Sequence, residues 1–307
     1  MLTRSIVSLR ACSLALTSAI YLTGCANLPA PGQSRGAHTA YGSEAADWSR
    51  APFWATELEL TAAQRFELAK RSRPELIAFL RRMPKGADLH NHLSGATFAD
   101  YLLESARASG KLYDLKSNVF VDDPGADTIP IEMLIDTPTY LNQYRDIVSM
   151  RGWREGASGH DHFFRTFSHF GTAGRTGPEM LAEVLARNAY QNVQYLELMA
   201  LPRDNTVIGP FFGAFRGLDL EDLEGSFAPL EPLTTDADVR AAVSAAIDAW
   251  EDEARRILAG AGIARGGLPV VRYIGSLNRV GSIDQFFVAA VIVMTAIQAD
   301  DRVVALN

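Results

Sequence analysis

The chain of 307 residues is 48% hydrophobic and 21% charged, long enough for one large or two ordinary domains and balanced as a soluble globular body is. Its net charge of -7, with no block of lysine and arginine, excludes a phosphate-neutralising stripe and argues against a nucleic-acid partner. Both cysteines, Cys12 and Cys25, fall in the first 25 residues, so the folded body has none for a disulfide or thiolate-metal framework.

The N-terminus carries the three parts of a secretory signal: Arg4 and Arg10 around a charged start, an apolar run over residues 11–22, and the small residues Thr23 and Gly24 just before Cys25. The run is too short for a membrane span, which needs roughly 18 apolar residues. Its Leu-Thr-Gly-Cys ending resembles the bacterial lipoprotein box, in which Cys25 becomes the lipidated first residue; an ordinary signal peptide with an incidental cysteine is the alternative. Ala26 after that cysteine favours the outer membrane by analogy with known lipoproteins, so the expected location is the cell envelope, at the outer membrane or periplasmic face. Residues 26–55, rich in Gly, Ala, Ser and Pro without apolar periodicity, read as a flexible tether that leaves His38 solvated.

Short helices are expected over residues 56–85. At Thr61 the stretch TAAQ is a capping-box signature, and Ser72 with Pro74 opens a second helix over PELIAFLRR. The stretch KGADLHNH is a brief strand starting at Gly86, residues 97–109 are helical, and 110–137 form a loop-rich insertion. Aromatic and apolar residues recur at helical spacing from Thr139 to about Phe170, and the helix GPEMLAEVLARNAYQN feeds a strand at Val193 to Met199. An irregular segment over 202–233 precedes an amphipathic helix from about Asp236 to Leu258, with Val239, Val243, Ile247 and Trp250 on its stripe. GLPVVRYIGSL is a third strand, Ser282 with Gln285 caps a buried helix, and DRVVALN begins a fourth strand. This alternation predicts an α/β fold with a parallel sheet and crossover helices. A (β/α)8 TIM barrel needs eight strands and typically about 250 residues, so the incomplete unit over 86–307, with about four strands, reads as the first half of one.

Within MPKGADLHNHLSGA, His90 and His92 are two residues apart, so on a strand both project from one face. At the C-terminal end of a barrel strand, where barrel active sites are built, two imidazoles a pleat apart suit one divalent metal, most naturally zinc. An H-x-H alone also arises by chance; the small and apolar residues before it and LSGA after it favour the metal.

MPKGADLHNHLSGA resembles the first motif of the adenosine deaminase family within the metal-dependent hydrolases, in particular its extracellular growth-factor-type branch. HFFRTFSHF, residues 162–170, is similar to that family's Phe-rich segment lining the substrate entrance, with Phe163 and Phe167 at matching positions. NVQYLELMALP resembles its second-strand motif, and the last 26 residues resemble its helix into strand four. The resemblance spans roughly residues 60 to 307. It implies a barrel of the metal-dependent hydrolase type with zinc held by His90, His92, a further histidine and an aspartate. It also implies a zinc-activated water that attacks C6 of a purine and releases ammonia, converting adenosine or a related adenine nucleoside to inosine. Ser94 and Gly95, with Phe163 and Phe167, are the implied substrate-binding residues.

Departures from the family pattern matter as much. The family's third histidine, catalytic glutamate, polarising histidine and metal aspartate come after strand four, and this chain has no histidine after His169. The 307 residues as they stand are therefore expected to be a truncated form that binds zinc weakly and deaminates poorly or not at all. Ser94 stands where the family has an aspartate that contacts the ribose, and Met199 where an arginine is usual. The alternatives are another zinc amidohydrolase of dipeptidase type and a non-catalytic envelope lipoprotein. His160 and His162 form a second H-x-H, but on a helix they diverge by about 200°. His169 is expected at a helix surface or cap. Glu197 is either a paired structural carboxylate or a catalytic one, and Asp88, two before His90, shares the histidine face as a ligand-orienting or simply hydrogen-bonding group. The acidic run over 219–225 is expected to be a solvated loop.

Overall fold

The computed structural model describes residues 57–202, 205–263, 267–279 and 281–307, so Cys25, the tether and His38 lie outside the described residues. The chain divides into two compact units with a boundary between Lys85 and Gly86. In the first, helices α1 (Glu57–Ala69) and α2 (Arg73–Arg82) meet through Phe66 and Phe79, whose ring centroids lie 5.4 Å apart. Thr61 does not cap: α1 begins a turn earlier, at Glu57, and the Thr61 hydroxyl donates to the Glu57 carbonyl. The helix-forming run ELEL ahead of it simply extends the helix past the signature. Ser72 is the N-cap of α2 without a side-chain capping bond, and Pro74 lies in the first turn where its missing N–H costs nothing.

The second unit is built on β1 (Ala87–Asn91), β5 (Tyr195–Leu198), β6 (Val270–Gly275) and β7 (Val303–Leu306). These form one wholly parallel sheet in the order β1-β5-β6-β7. Between β1 and β5 lie α3 (Leu93–Ala96), α4 (Ala99–Ala108), β2 (Leu112–Asp114), β3 (Val119–Val121), β4 (Thr128–Pro130), α5 (Ile131–Asp136), α6 (Pro138–Ile147), α7 (Gly159–Phe170) and α8 (Gly177–Tyr190). After β5 come α9 (Asn205–Ala214), α10 (Leu223–Phe227), α11 (Glu231–Thr235) and α12 (Ala237–Gly260), and α13 (Ile283–Ala299) joins β6 to β7. Among the described residues no helix is long and apolar enough to cross a membrane.

Side chains explain this arrangement. Leu196 and Leu198 of β5, Tyr273 of β6 and Val303 of β7 are buried in one apolar cluster with Leu181 and Leu185 of α8, Val243 and Ile247 of α12, and Val288 and Ile292 of α13. The helices thus cover one face of the sheet. Two glycines permit close approach: a Cβ at Gly177 would run into the Trp250 ring of α12, and one at Gly275 into Val293 of α13.

Two stretches expected to be irregular are ordered. The insertion over 110–137 forms a small antiparallel sheet, β3-β2-β4, whose Tyr113 and Phe120 pack edge-on with Tyr144 of α6 at centroid distances of 5.4–5.7 Å. Strands of three residues are too short to show an alternating pattern. The segment over 202–233 contains three helices; Pro210, Gly209 and Gly213 mask α9 in the sequence, yet Val207 and Phe211, four apart, give it a buried stripe.

Candidate metal centre

Strand β1 ends at Asn91, so His90 occupies its last turn of pleat and His92 follows as the N-cap residue of α3. Both imidazoles are exposed, and their rings lie edge to face with centroids 5.2 Å apart. Strand pairing is interrupted here: Asp88 pairs with Leu196 and Asn91 with Leu198, so Leu89 and His90 together oppose Glu197 across a bulge. In register with buried Leu196, Asp88 lies on the helix-covered face. Its Oδ1 accepts from the His90 amide at 3.3 Å and its Oδ2 from Asn91 Nδ2 at 2.8 Å, which pins the bulge.

His92 titrates below the usual histidine value, chiefly because it is desolvated and secondarily because His90 stands beside it. Its neutral form, the form that ligates a metal, is therefore favoured. Two adjacent imidazoles fit two positions of a zinc site in donor type. Among the described residues no group of three or more His, Cys, Asp or Glu side chains stands ready to hold a metal.

Ser94 and Gly95 lie in the single turn α3, directly after the histidines, and both are exposed. A Cβ placed on Gly95 would sit 3.9 Å from the Phe170 ring of α7. From there an aromatic ladder climbs the helix: Phe170 to Phe167 at 5.1 Å, Phe167 to Phe163 at 5.1 Å, and Phe164 stacked on Phe167 at 5.8 Å. Phe163, Phe164 and Phe167 are 43%, 57% and 37% exposed. The structure therefore brings Phe163 and Phe167 into one row that ends at Gly95, three residues past His92. Phe170, the foot of the ladder, was not singled out in the sequence; its spacing of three from Phe167 is the signal.

The other candidates have partners away from the histidine pair. His160 is exposed beside Asp161, whereas His162 is buried, with Nε2 2.9 Å from the Ser149 carbonyl and Nδ1 accepting from Arg165 at 3.1 Å. His169 Nδ1 is 2.9 Å from the Asn118 carbonyl. Glu197 accepts from the Tyr195 hydroxyl at 2.9 Å. In the acidic run, Asp222 caps α10 by accepting from the Gly225 amide. A cleft of about 620 Å³, lined by Asn142, Gln143, Asp146, Ile147, His162 and Arg165 among others, lies between α6 and α7 and contains neither His90 nor His92. Comparison with protein-family models, curated proteins and solved structures yields no match to this chain.

Proposed function

We propose that His90 and His92 are two ligands of a zinc ion in an adenosine-deaminase-like aminohydrolase, acting on an adenine nucleoside at the C-terminal end of a (β/α)8-type sheet. The observation that carries this reading is the pairing of the two imidazoles at the end of β1, beside a row of phenylalanines that reaches the next turn of chain. Zinc, when bound, acidifies its water so that hydroxide is available near neutral pH. Phe163 and Phe167 offer apolar faces on which a purine ring stacks, and the Ser94 hydroxyl offers a hydrogen bond to the sugar. A lipid anchor at Cys25 and a place in the cell envelope belong to the same proposal, resting on the Leu-Thr-Gly-Cys motif.

The test is conversion of adenosine to inosine, followed by ultraviolet absorbance with added zinc, using the longest reading frame that contains these residues. The expected result is zinc-stimulated conversion that His90→Ala and His92→Ala each reduce by at least about 100-fold, the order of loss for a disrupted metal shell. A folded protein that leaves adenosine unchanged, or whose activity ignores both substitutions, overturns the reading.

A further inference from the structure

We propose that Arg187 of α8 is a positioning residue for the histidine pair, holding His92 in place through Ala96. The inference starts from a difference between the two histidines. His90 lies within β1, between the paired residues Asp88 and Asn91, whereas His92 falls past the end of the strand and already belongs to the next turn of chain. The 5.2 Å between the two rings is therefore set by whatever fixes α3. That turn is four residues long, with a glycine at its third position. So short a helix does not hold itself: isolated helices under about 12 residues are marginal even in good sequences, and glycine weakens them further.

Contacts from outside the turn supply the hold. Leu93 is buried in the apolar cluster with Leu181 and Leu185, which seats the turn on α8. At the far end the Ala96 carbonyl accepts from Arg187 Nη2 at 2.7 Å, across 91 positions of sequence. The Ala96 amide in turn donates to the His92 carbonyl at 2.8 Å. Ala96 thus links the guanidinium to the backbone of the second histidine. His92 makes no capping bond with its own side chain, so its imidazole is not consumed in holding the turn.

Arg187 is itself held on two sides. Its Nε donates to Glu183 Oε1 at 2.9 Å and its Nη2 to Oε2 at 3.3 Å, and its guanidinium carbon lies 4.2 Å from the centre of the Phe98 ring. The side chains of Arg187 and Glu183 are only 18% and 11% exposed, so water competes little for these bonds. A fork of donors fixed by a carboxylate and an aromatic face meets the carbonyl in one direction; a lysine ammonium has neither the fork nor the flat face. Arg175 offers a comparison within the same fold. It too lies over a ring, that of Tyr101 at 3.2 Å, and donates to the Tyr101 carbonyl at 2.9 Å, but it fastens α4 rather than the turn that His92 begins. The hold on His92 does not depend on a metal; its bearing on zinc affinity rests on the proposed metal reading.

Nuclear magnetic resonance on the purified full chain with labelled histidine, and titration with zinc alone, test the proposal. In the wild type the His90 and His92 rings are expected to show a direct cross-relaxation contact, and the Ala96 amide to exchange slowly. Two variants are compared: Arg187→Lys, and the double substitution Glu183→Gln with Arg187→Met, which leaves no lone charge buried. Each is expected to weaken the ring contact, to speed Ala96 exchange and to lower zinc affinity by about 10- to 100-fold, the order of loss when a group orienting a metal ligand is removed. Arg175→Lys is expected to lower the melting temperature and to leave all three readouts as in the wild type; circular dichroism checks that every variant is folded. Folded Arg187 variants with the wild-type ring contact and Ala96 exchange overturn the proposal, as does a wild type without the ring contact. An Arg175→Lys protein that moves the same readouts as far overturns it too, since the effect is then general loosening. A wild type that keeps the ring contact but takes up no zinc sinks the metal reading, and the ring contact and Ala96 exchange then decide the proposal alone.

Discussion

At the scale of single residues the closeness of the histidine pair was legible from its spacing, but the strand ends at Asn91 and His92 stands at the N-cap of α3, so pleat geometry alone does not set it. The bulge was not legible, since a two-for-one pairing depends on the neighbouring strand rather than on the residues that bulge. Nor was it legible that Asp88 would fasten that bulge, accepting from the His90 amide and the Asn91 side chain. The pair also carries a pH consequence. Desolvation lowers the His92 value in the fold below 6.5, so between its folded and unfolded values the unfolded chain binds more protons. Its contribution therefore favours folding least at low pH: the penalty is absent above about pH 6.5 and grows as pH falls through the lowered value. Urea unfolding at pH 5 and pH 7.5 is expected to show a smaller loss of stability on acidification in His92→Asn than in the wild type. An unchanged difference would remove His92 from the acid side of the stability curve.

Elements were legible where two signals agreed. Ser282 and Gln285 form the expected reciprocal capping box, and α12 buries Val239, Val243 and Ile247 from the stripe seen in its sequence. Thr61 misled because one signal, the capping spacing, was opposed by the helix-forming residues before it. The strongest fastening between elements had no sequence signal at all. Arg302, at the start of β7, donates from Nη2 to Asp300 Oδ2 at 2.7 Å and from Nε to Oδ1 at 2.9 Å, and its Nη1 lies 2.7 Å from Asp248 of α12. It thereby ties the end of α13 and the start of β7 to α12. The bidentate Arg302 hydrogen bonds hold the Asp300 carboxyl down to about 2. A depressed carboxylate stabilises the fold above its unfolded value of 3.8, and that stabilisation disappears as pH falls from there toward 2. Arg302→Ala is expected to cost about 2 kcal/mol at pH 7, the range of a hydrogen bond to a charged group. The cost should shrink in chemical denaturation as pH falls from 3.8 toward 2, where the folded-state carboxyl is about half protonated. An equal cost at pH 7 and near pH 2 would mean that Arg302 acts through packing alone.

At the scale of the molecule, alternating strands and helices announced a parallel sheet, because a parallel connection has to cross over and a helix is the compact way to do so. Four sequential strands are what the structure contains; the barrel that such an order suggests is a matter of what lies against the bare face, and no residue of the sheet states that by itself. The two faces nevertheless make a measurable contrast. Leu196 is fully buried under the helices, so Leu196→Ala is expected to cost about 3 kcal/mol, as large-to-small changes in a core do. Val270, half exposed on the other face, keeps less apolar surface from water, so Val270→Thr is expected to cost under about 1 kcal/mol. Urea unfolding of both variants measures the contrast, and equal losses would mean that the two faces are covered alike in solution.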